Sequence, residues 1–361
     1  MKAITVYTRV GNSGQEITHF TLPYPGDSLP QKVNLENNHL DTSIDCFLAM
    51  QTGRKANGIA KVSLKDGLLR IDCMPFSYQS PYRLWVDDRC YEAQNEAAVH
   101  TDWADRFEPL ANGELLYRLY KPDAKGARPL ILFLHGGGEM GTDNWQQLTA
   151  CFGPVFLAET YPDCYVMAPQ AKGEPPTPEA VAAFKRLRFD QSDQRTDVGW
   201  NRLYLGLVCD EIRSMIKAGL VDENRVYVTG LSMGGAGTLR ALSVGAGLFA
   251  AAMPVCPSMT PETYSILCGL RHAKLWIAAS YIDHTLYRHK YLMDGVFALR
   301  DAGNRDARLT LYAPEDLEKY GIGVIDDMPL ESLFGWNHMC WVPAYRNEQG
   351  LLSWMMSQTK N

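Results

Sequence analysis

The stretch VYVTGLSMGGAG, residues 226–237, decides how this chain should fold. A run of β-favouring residues leads into a Gly-x-Ser-x-Gly sequence from Gly230 to Gly234, and a helix-compatible segment follows. This pattern is typical of a sharp turn from a buried strand into a helix, which lifts the hydroxyl of Ser232 clear of the sheet. We therefore predict that Ser232 is a nucleophile; the alternative is a glycine-rich turn without a chemical role. The flanking glycines are expected because the strained backbone leaves no room for a Cβ atom.

Strand and helix patterns alternate around this turn. Apolar runs that predict buried strands occur at residues 129–135, 163–170, 224–230, 274–280 and 307–314. A helix is predicted over residues 203–219, with one apolar face and Gly219 at its end. A second helix is predicted over 291–303. Repeated strand–helix–strand units predict a doubly wound, mostly parallel sheet with helices on both faces.

The N-terminal part follows a different pattern. Up to about residue 108 it consists of short alternating runs, including 43–50, and Lys65-Asp66-Gly67 is a hairpin signal between two of them. A second hairpin, turning at Asn112-Gly113, leads into the region of alternating strands and helices. We predict two domains: a small all-β sandwich of immunoglobulin-like build over 1–108 and a catalytic α/β domain over 109–361.

Composition narrows the choice of partners. Hydrophobic residues make up 46% and charged residues 21% of the chain, which is ordinary for a globular protein. The net charge is 35 − 41 = −6 and no block of lysine or arginine occurs, so neither nucleic acid nor a membrane is expected as a partner. The sequence leaves homo-oligomer formation open. The first twenty residues lack a signal-peptide pattern, so a cytoplasmic location is expected, with secretion as the alternative if a leader is missing.

The nine cysteines are scattered along the chain and show no metal-binding spacing, so no metal is expected. Most of them lie in apolar runs, where a free cysteine behaves as a small buried hydrophobe.

A serine nucleophile needs a base and an acid that orients the base. In a sheet of this kind the chain order should be serine, acid, histidine. Asp283 follows the predicted strand 274–280, and His338 follows the last predicted strand, so we predict these two as acid and base. Asp326 and Asp327 offer a rival acid. For His338 the alternative is a histidine packed among neighbouring tryptophans.

The glycine-rich segment after the first parallel strand, LHGGGEMGTDNW, resembles an oxyanion loop. We expect backbone N–H groups of Gly137 or Gly138, together with that of Met233, to stabilise the oxyanion of a tetrahedral intermediate. Four tryptophans are candidates to contact substrate, although each also fits a role in the core: Trp145, Trp200, Trp336 and Trp341.

The same loop matches the dinucleotide fingerprint G-x-G-x-x-G over residues 136–141. That fingerprint needs a carboxylate at the end of the next strand to hold a ribose, and Gln170 stands there instead. No nicotinamide and no other cofactor is therefore expected.

Several segments together point to a known group. PLILFLHGGGEMGTDN, VMAPQ, DENRVYVTGLSMGGAGT, LFAAAMPVCPS and WNHMCW follow one another within residues 109–345. In this combination the chain resembles the esterases related to polyhydroxybutyrate depolymerases, a group that includes predicted peptidases and members with an N-terminal immunoglobulin-like domain. The resemblance implies an α/β-hydrolase with Ser232, Asp283 and His338 as its triad.

The chain departs from that group at three places. A glycine replaces the commoner residue within HGGGE, SYIDHTLYRHKY (280–291) lacks the usual Asp-x-x-Val-Pro continuation, and an extended stretch over 315–335 precedes the histidine. The resemblance implies hydrolysis of short acyl or aromatic (feruloyl- or acetyl-type) esters, free or linked to a polysaccharide. A serine peptidase on the same scaffold and a non-catalytic glycan-binding protein are the alternatives.

Overall fold

The computed structural model describes residues 4–12, 14–37, 58–92, 97–173, 199–283, 288–320, 322 and 337–360. The chain divides into two compact units: Met1–Arg106 with Thr149–Val155, and Phe107–Leu148 with Phe156–Asn361. The strand predicted at 43–50 lies outside the described residues.

In the first unit the described residues up to Thr101 form β-strands and their connections; a 3₁₀ turn, Ala104–Arg106, follows, and Thr149–Val155 contribute helical residues. Its strands are β1 Ile4–Gly11, β2 Gly14–Pro23, β3 Val33–Asn37, β4 Ile59–Lys65, β5 Leu68–Ser77, β6 Tyr82–Val86, β7 Arg89–Glu92 and β8 Ala97–Thr101. They form a five-stranded sheet in the order β4-β5-β2-β1-β8 and a three-stranded sheet in the order β3-β6-β7. One apolar core contains side chains from both sheets, which is the arrangement of a small sandwich. Its immunoglobulin-like build stays a prediction.

The hairpin predicted at Lys65-Asp66-Gly67 joins β4 to β5. Asp66 and Gly67 both have positive φ, 52° and 72°, as a tight two-residue turn requires.

The second unit contains one eight-stranded sheet, in the order β16-β15-β14-β13-β11-β12-β10-β9. Its strands are β9 Phe107–Asn112, β10 Leu115–Tyr120, β11 Arg128–Leu134, β12 Tyr165–Pro169, β13 Val221–Leu231, β14 Ala251–Val255, β15 Leu275–Ser280 and β16 Ala307–Tyr312. The strands from β11 to β16 pair in parallel, and the hairpin of β9 and β10 adds an antiparallel edge. The carboxyl ends of the six parallel strands therefore share one edge of the sheet.

The helices of the described residues alternate with these strands. They are α1 Gln146–Thr149, α2 Gly153–Thr160, α3 Arg202–Lys217, α4 Met233–Val244, α5 Pro261–Gly269, α6 Arg288–Asp301, α7 Pro314–Glu318, α8 Trp341–Tyr345 and α9 Leu351–Ser357. The apolar face predicted for α3 is buried, and Gly219 follows its end with φ 72°. No helix within the described ranges combines the length and apolarity that crossing a bilayer would need.

All five strands predicted for the α/β region are present, as β11, β12, β13, β15 and β16. The prediction omitted β14, whose sequence AAMPV is short, lacks a β-branched majority and contains a proline. It forms because parallel neighbours lie on both sides of it and every residue is buried. Tertiary packing here outweighs a weak local preference for strand.

Candidate active site

Ser232 stands on a strained turn between β13 and α4. Its backbone has φ 56° and ψ −114°, a conformation that non-glycine residues rarely adopt. A Cβ atom at Gly230 would lie 2.5 Å from the carbonyl oxygen of Gly234, and one at Gly234 would lie 1.9 Å from that of Leu134. The two glycines of the motif are thus required because backbone approaches too closely for any side chain.

The hydroxyl of Ser232 is not used to cap the helix. Ser232 occupies the N-cap position of α4, where a serine side chain usually accepts a hydrogen bond from the first turn, yet it makes no such bond. Its Oγ instead lies 2.9 Å from Nε2 of His338. The side chain of Ser232 thus makes a contact across the fold in place of the local helix-cap hydrogen bond, which is the geometry expected of the predicted nucleophile.

Asp283 and His338 complete the arrangement. Nδ1 of His338 lies 3.0 Å from Oδ2 of Asp283, whose side chain is only 2% exposed. Asp283 comes three residues after the end of β15, and the hydroxyl of Ser280, the last residue of β15, donates to the carbonyl of Asn337. The segment carrying His338 is therefore tied to the strand that presents the acid.

The structure thus brings the three residues of the predicted triad together, in the relative positions that general-base activation of a serine requires. The rival acids, Asp326 and Asp327, lie outside the described residues.

Sequence reasoning missed a fourth member of this cluster. Arg288, at the start of α6, has a fully buried side chain, and its Nη1 lies 2.7 Å from Oδ2 of Asp283. The same nitrogen lies 2.9 Å from Nδ1 of His338 and 3.2 Å from the carbonyl oxygen of Cys256. In the sequence this arginine stands in the polar stretch 280–291, where nothing distinguishes it from a solvated charge.

The predicted oxyanion loop lies directly after β11. Gly137 and Gly138 begin a short 3₁₀ turn, Gly137–Glu139, and a Cβ atom at either glycine would meet no described atom within 4 Å. The N–H of Met233 belongs to the first turn of α4, and such N–H groups have no acceptor within their own helix. These three donors remain our prediction for the oxyanion hole.

Buried polar groups hold the loop from beneath. The side chain of Gln170, just after β12, donates to the carbonyl of Glu139 at 3.1 Å and to Asp143 at 3.0 Å. It accepts from the backbone N–H of Asn144 at 2.6 Å. Gln170, which the sequence offered as evidence against a dinucleotide and as the end of the segment VMAPQ, therefore fixes the far side of the glycine-rich loop.

His135 is the second support. Nδ1 lies 2.6 Å from the carbonyl of Gly136, and Nε2 accepts from the backbone N–H of Ala171 at 2.9 Å. These partners require a neutral imidazole with its proton on Nδ1, which donates to Gly136. Burial, opposed by the Gly136 hydrogen bond, lowers the pKa of His135 to about 4.

Glu139 is a carboxyl group buried in the same loop, 3.8 Å from Nδ1 of His135. Desolvation raises its pKa to about 7, although backbone hydrogen bonds oppose the shift. Between pH 4.5 and 7 the folded protein therefore keeps a proton that the unfolded chain has released. Ionisation of Glu139 lowers the free energy of unfolding as pH rises through this window. His135 has the opposite effect: because burial keeps its imidazole neutral in the folded protein, the free energy of unfolding rises with pH between about pH 4 and 6.5.

We predict that Glu139→Gln gains stability over the wild type as pH rises. The difference in free energy of unfolding should grow between pH 4.5 and 7 by roughly 3 kcal/mol, the equivalent of the pKa shift. Urea denaturation at several pH values measures it. Glu114→Gln, at a glutamate whose side chain is 77% exposed, is the control and should parallel the wild type. A Glu139→Gln curve parallel to the wild type would contradict the prediction.

The four candidate tryptophans occupy different environments. Trp341 is half-buried, with its ring edge-on to His338 at a centroid distance of 5.6 Å. Trp145 is half-buried and carries the guanidinium of Arg118 over its ring at 4.9 Å. Trp336 lies outside the described residues.

Trp200 belongs to the core instead of the substrate surface. It is completely buried, its Nε1 donates to the carbonyl of His135 at 2.9 Å, and a Cβ at Gly237 would lie 2.7 Å from its Cγ. Because no part of the ring is exposed, Trp200 supports helix α4 and the start of the glycine-rich loop from within the core. Among the described residues no group of three or more His, Cys, Asp or Glu side chains could hold a metal ion.

Comparison with known proteins gives the class of fold. A model of the prolyl oligopeptidase family (Peptidase_S9) matches residues 208–290. A solved structure of a thermostable esterase superposes with a TM-score of 0.70 at 21% identity, over 100% of this chain and 100% of that chain. This chain therefore has the α/β-hydrolase fold, and the family match supports a hydrolase.

Two other structures are less similar. A puromycin-hydrolysing peptidase of Mycobacterium tuberculosis gives a TM-score of 0.48 at 13% identity, over 77% of this chain and 44% of its own. A ferulic acid esterase gives 0.42 at 15% identity, over 69% and 96%. No curated protein matches the chain by sequence.

Proposed function

We propose that this protein is a serine hydrolase that cleaves carboxylic esters of short acyl or aromatic acids through an acyl-enzyme intermediate. The observation that carries the proposal is the 2.9 Å contact between Oγ of Ser232 and Nε2 of His338, made by a serine held in a strained backbone conformation. A buried carboxylate behind the imidazole, at Asp283, supplies the orientation that a base needs.

The reaction follows from these positions. Nε2 of His338 takes the proton of Ser232 as Oγ attacks the ester carbonyl, while Asp283 accepts a hydrogen bond from Nδ1–H, which fixes the tautomer and stabilises the imidazolium. The oxyanion of the tetrahedral intermediate accepts hydrogen bonds from the N–H of Met233 and of Gly137 or Gly138. The imidazolium then protonates the leaving alcohol. Water repeats the sequence on the acyl-serine and releases the acid.

A serine peptidase is the second candidate. It is favoured by the match of the prolyl oligopeptidase family to residues 208–290, a segment that contains Ser232 and Asp283. The same base, nucleophile and oxyanion donors would serve an amide, whose leaving amine also needs the proton that His338 returns.

Two measurements test the proposal. A fluorophosphonate should modify Ser232 covalently, as mass spectrometry of the digested protein would show. We expect turnover of p-nitrophenyl acetate and butyrate and of a feruloyl ester, and none of peptide p-nitroanilides. Anilide turnover with inert esters would favour the peptidase, and absence of both labelling and turnover would end the proposal.

A further inference from the structure

Behind the triad stands a buried positive charge that the mechanism above does not use. The side chain of Arg288 is 0% exposed and contacts the acid and the base at once. We propose that Arg288 is a positioning residue that fixes Asp283 in place and sets the pH range over which His338 acts as a base. The inference rests on the proposed function.

The hydrogens on Nη1 of Arg288 determine which of its neighbours accept a hydrogen bond from it. This nitrogen carries two hydrogens, and two oxygen acceptors lie near it among the described residues, Oδ2 of Asp283 at 2.7 Å and the carbonyl of Cys256 at 3.2 Å. Because these oxygens take both hydrogens, Nδ1 of His338 keeps its own proton for the carboxylate. The tautomer that results leaves Nε2 free to accept the proton of Ser232.

The positive charge of Arg288 acts on both Asp283 and His338. An arginine stays charged at every relevant pH, and an unpaired cation is costly to bury, so Arg288 and the ionised Asp283 stabilise each other. With the carboxylate alone, a neutral imidazole would face a net charge of −1; with the guanidinium, it faces an ion pair of net charge zero. The positive charge 2.9 Å from Nδ1 opposes protonation of His338 and keeps the base available at lower pH.

Within the described part of the chain, a further titratable group coupled to this ion pair is the thiol of Cys256. Asp283, Arg288 and the hydroxyl of Ser232 contact His338, and the thiol of Cys256 interacts electrostatically with Asp283 and Arg288. Burial and a hydrogen bond with Cys340 raise the pKa of the Cys256 thiol well above its ordinary value, so this thiol stays neutral. The charge balance around the imidazole is therefore that of the Asp283–Arg288 pair.

Two variants test the proposal through the pH profile of kcat/KM. Arg288→Gln should move the acid limb to higher pH by about one unit, because the imidazolium no longer meets a cation, and should lower kcat. Arg288→Lys keeps the charge, so its acid limb should stay with the wild type while kcat falls roughly tenfold from loss of the fork geometry. A residue that merely supports the fold would change the amount of active enzyme without moving the limb.

Three outcomes would overturn the proposal: a folded Arg288→Gln enzyme with the wild-type profile, an acid limb in Arg288→Lys shifted as expected for glutamine, or a lysine variant with wild-type kcat. If Arg288→Gln does not fold, the lysine variant alone decides. Fluorophosphonate labelling rates across pH, and NMR titration of His338, give the same limb without an ester. A shifted acid limb in Arg288→Gln without ester turnover would contradict the proposed substrate and support the role of Arg288. Ester turnover with the same pH profile in the wild type and in Arg288→Gln would support the proposed substrate and contradict the role of Arg288.

Discussion

Ser232→Ala is expected to lower kcat for p-nitrophenyl butyrate by roughly 100,000-fold while leaving the fold unchanged. The hydroxyl makes no helix cap, so the bond that is lost is the one to His338. A small residual rate should remain, since the oxyanion donors and substrate binding do not depend on the hydroxyl. Stopped assays with high enzyme concentration, together with circular dichroism of the variant, measure both halves of the prediction.

The comparison variants make this result specific. His338→Ala should cost about as much as Ser232→Ala, and the double variant little more, because the two residues act as one unit. Ser243→Ala, at an exposed serine of the same helix α4, should behave like the wild type. A folded Ser232→Ala protein within tenfold of wild-type turnover would show that another group is the nucleophile.

The sequence was sufficient to predict the parts of the site that depend on neighbouring residues and on the order of the strands. A strand, a glycine-flanked serine and a helix are neighbours in the chain, so the strained conformation of Ser232 could be predicted from residues 226–237 alone. Asp283 and His338 are 55 residues apart, yet each follows a recognisable strand. Because the parallel strands end at one edge of the sheet, chain order was enough to propose that these side chains meet.

What the sequence could not supply is the partner of a side chain. Arg288 carries no periodic or motif signal, and a charged residue in a polar stretch is usually solvated. Gln170 ends the segment VMAPQ, but nothing in that segment predicts what its amide group contacts. Their roles depend on burial and on contacts made across the fold: a guanidinium against a carboxylate in one case, an amide against loop backbone in the other. Trp200 shows the same limit, since an aromatic residue predicts burial as readily as substrate contact.

Gly234→Ala is expected to prevent folding or to lower the free energy of unfolding by more than about 3 kcal/mol. The new Cβ atom would lie 1.9 Å from the carbonyl oxygen of Leu134 and 2.5 Å from that of His135. Both obstacles are backbone atoms at the end of β11, where the chain enters the oxyanion loop, so neither can move like a flexible side chain. To remove these two overlaps, helix α4 would have to move away from the sheet, and this movement would also displace Ser232 from His338. Urea denaturation and fluorophosphonate labelling measure the two effects.

Gly206→Ala is the matched control, because both glycines lie within helices and alanine is the better helix former at each position. At Gly206 a Cβ would meet no described atom within 4 Å, so only the gain in helix propensity remains, a stabilisation of up to ~1 kcal/mol. Opposite signs for the two substitutions are thus expected from one physical difference, the distance to the backbone of β11. If Gly234→Ala were as stable as Gly206→Ala and kept its labelling rate, the turn at Ser232 would not be held by close backbone contact.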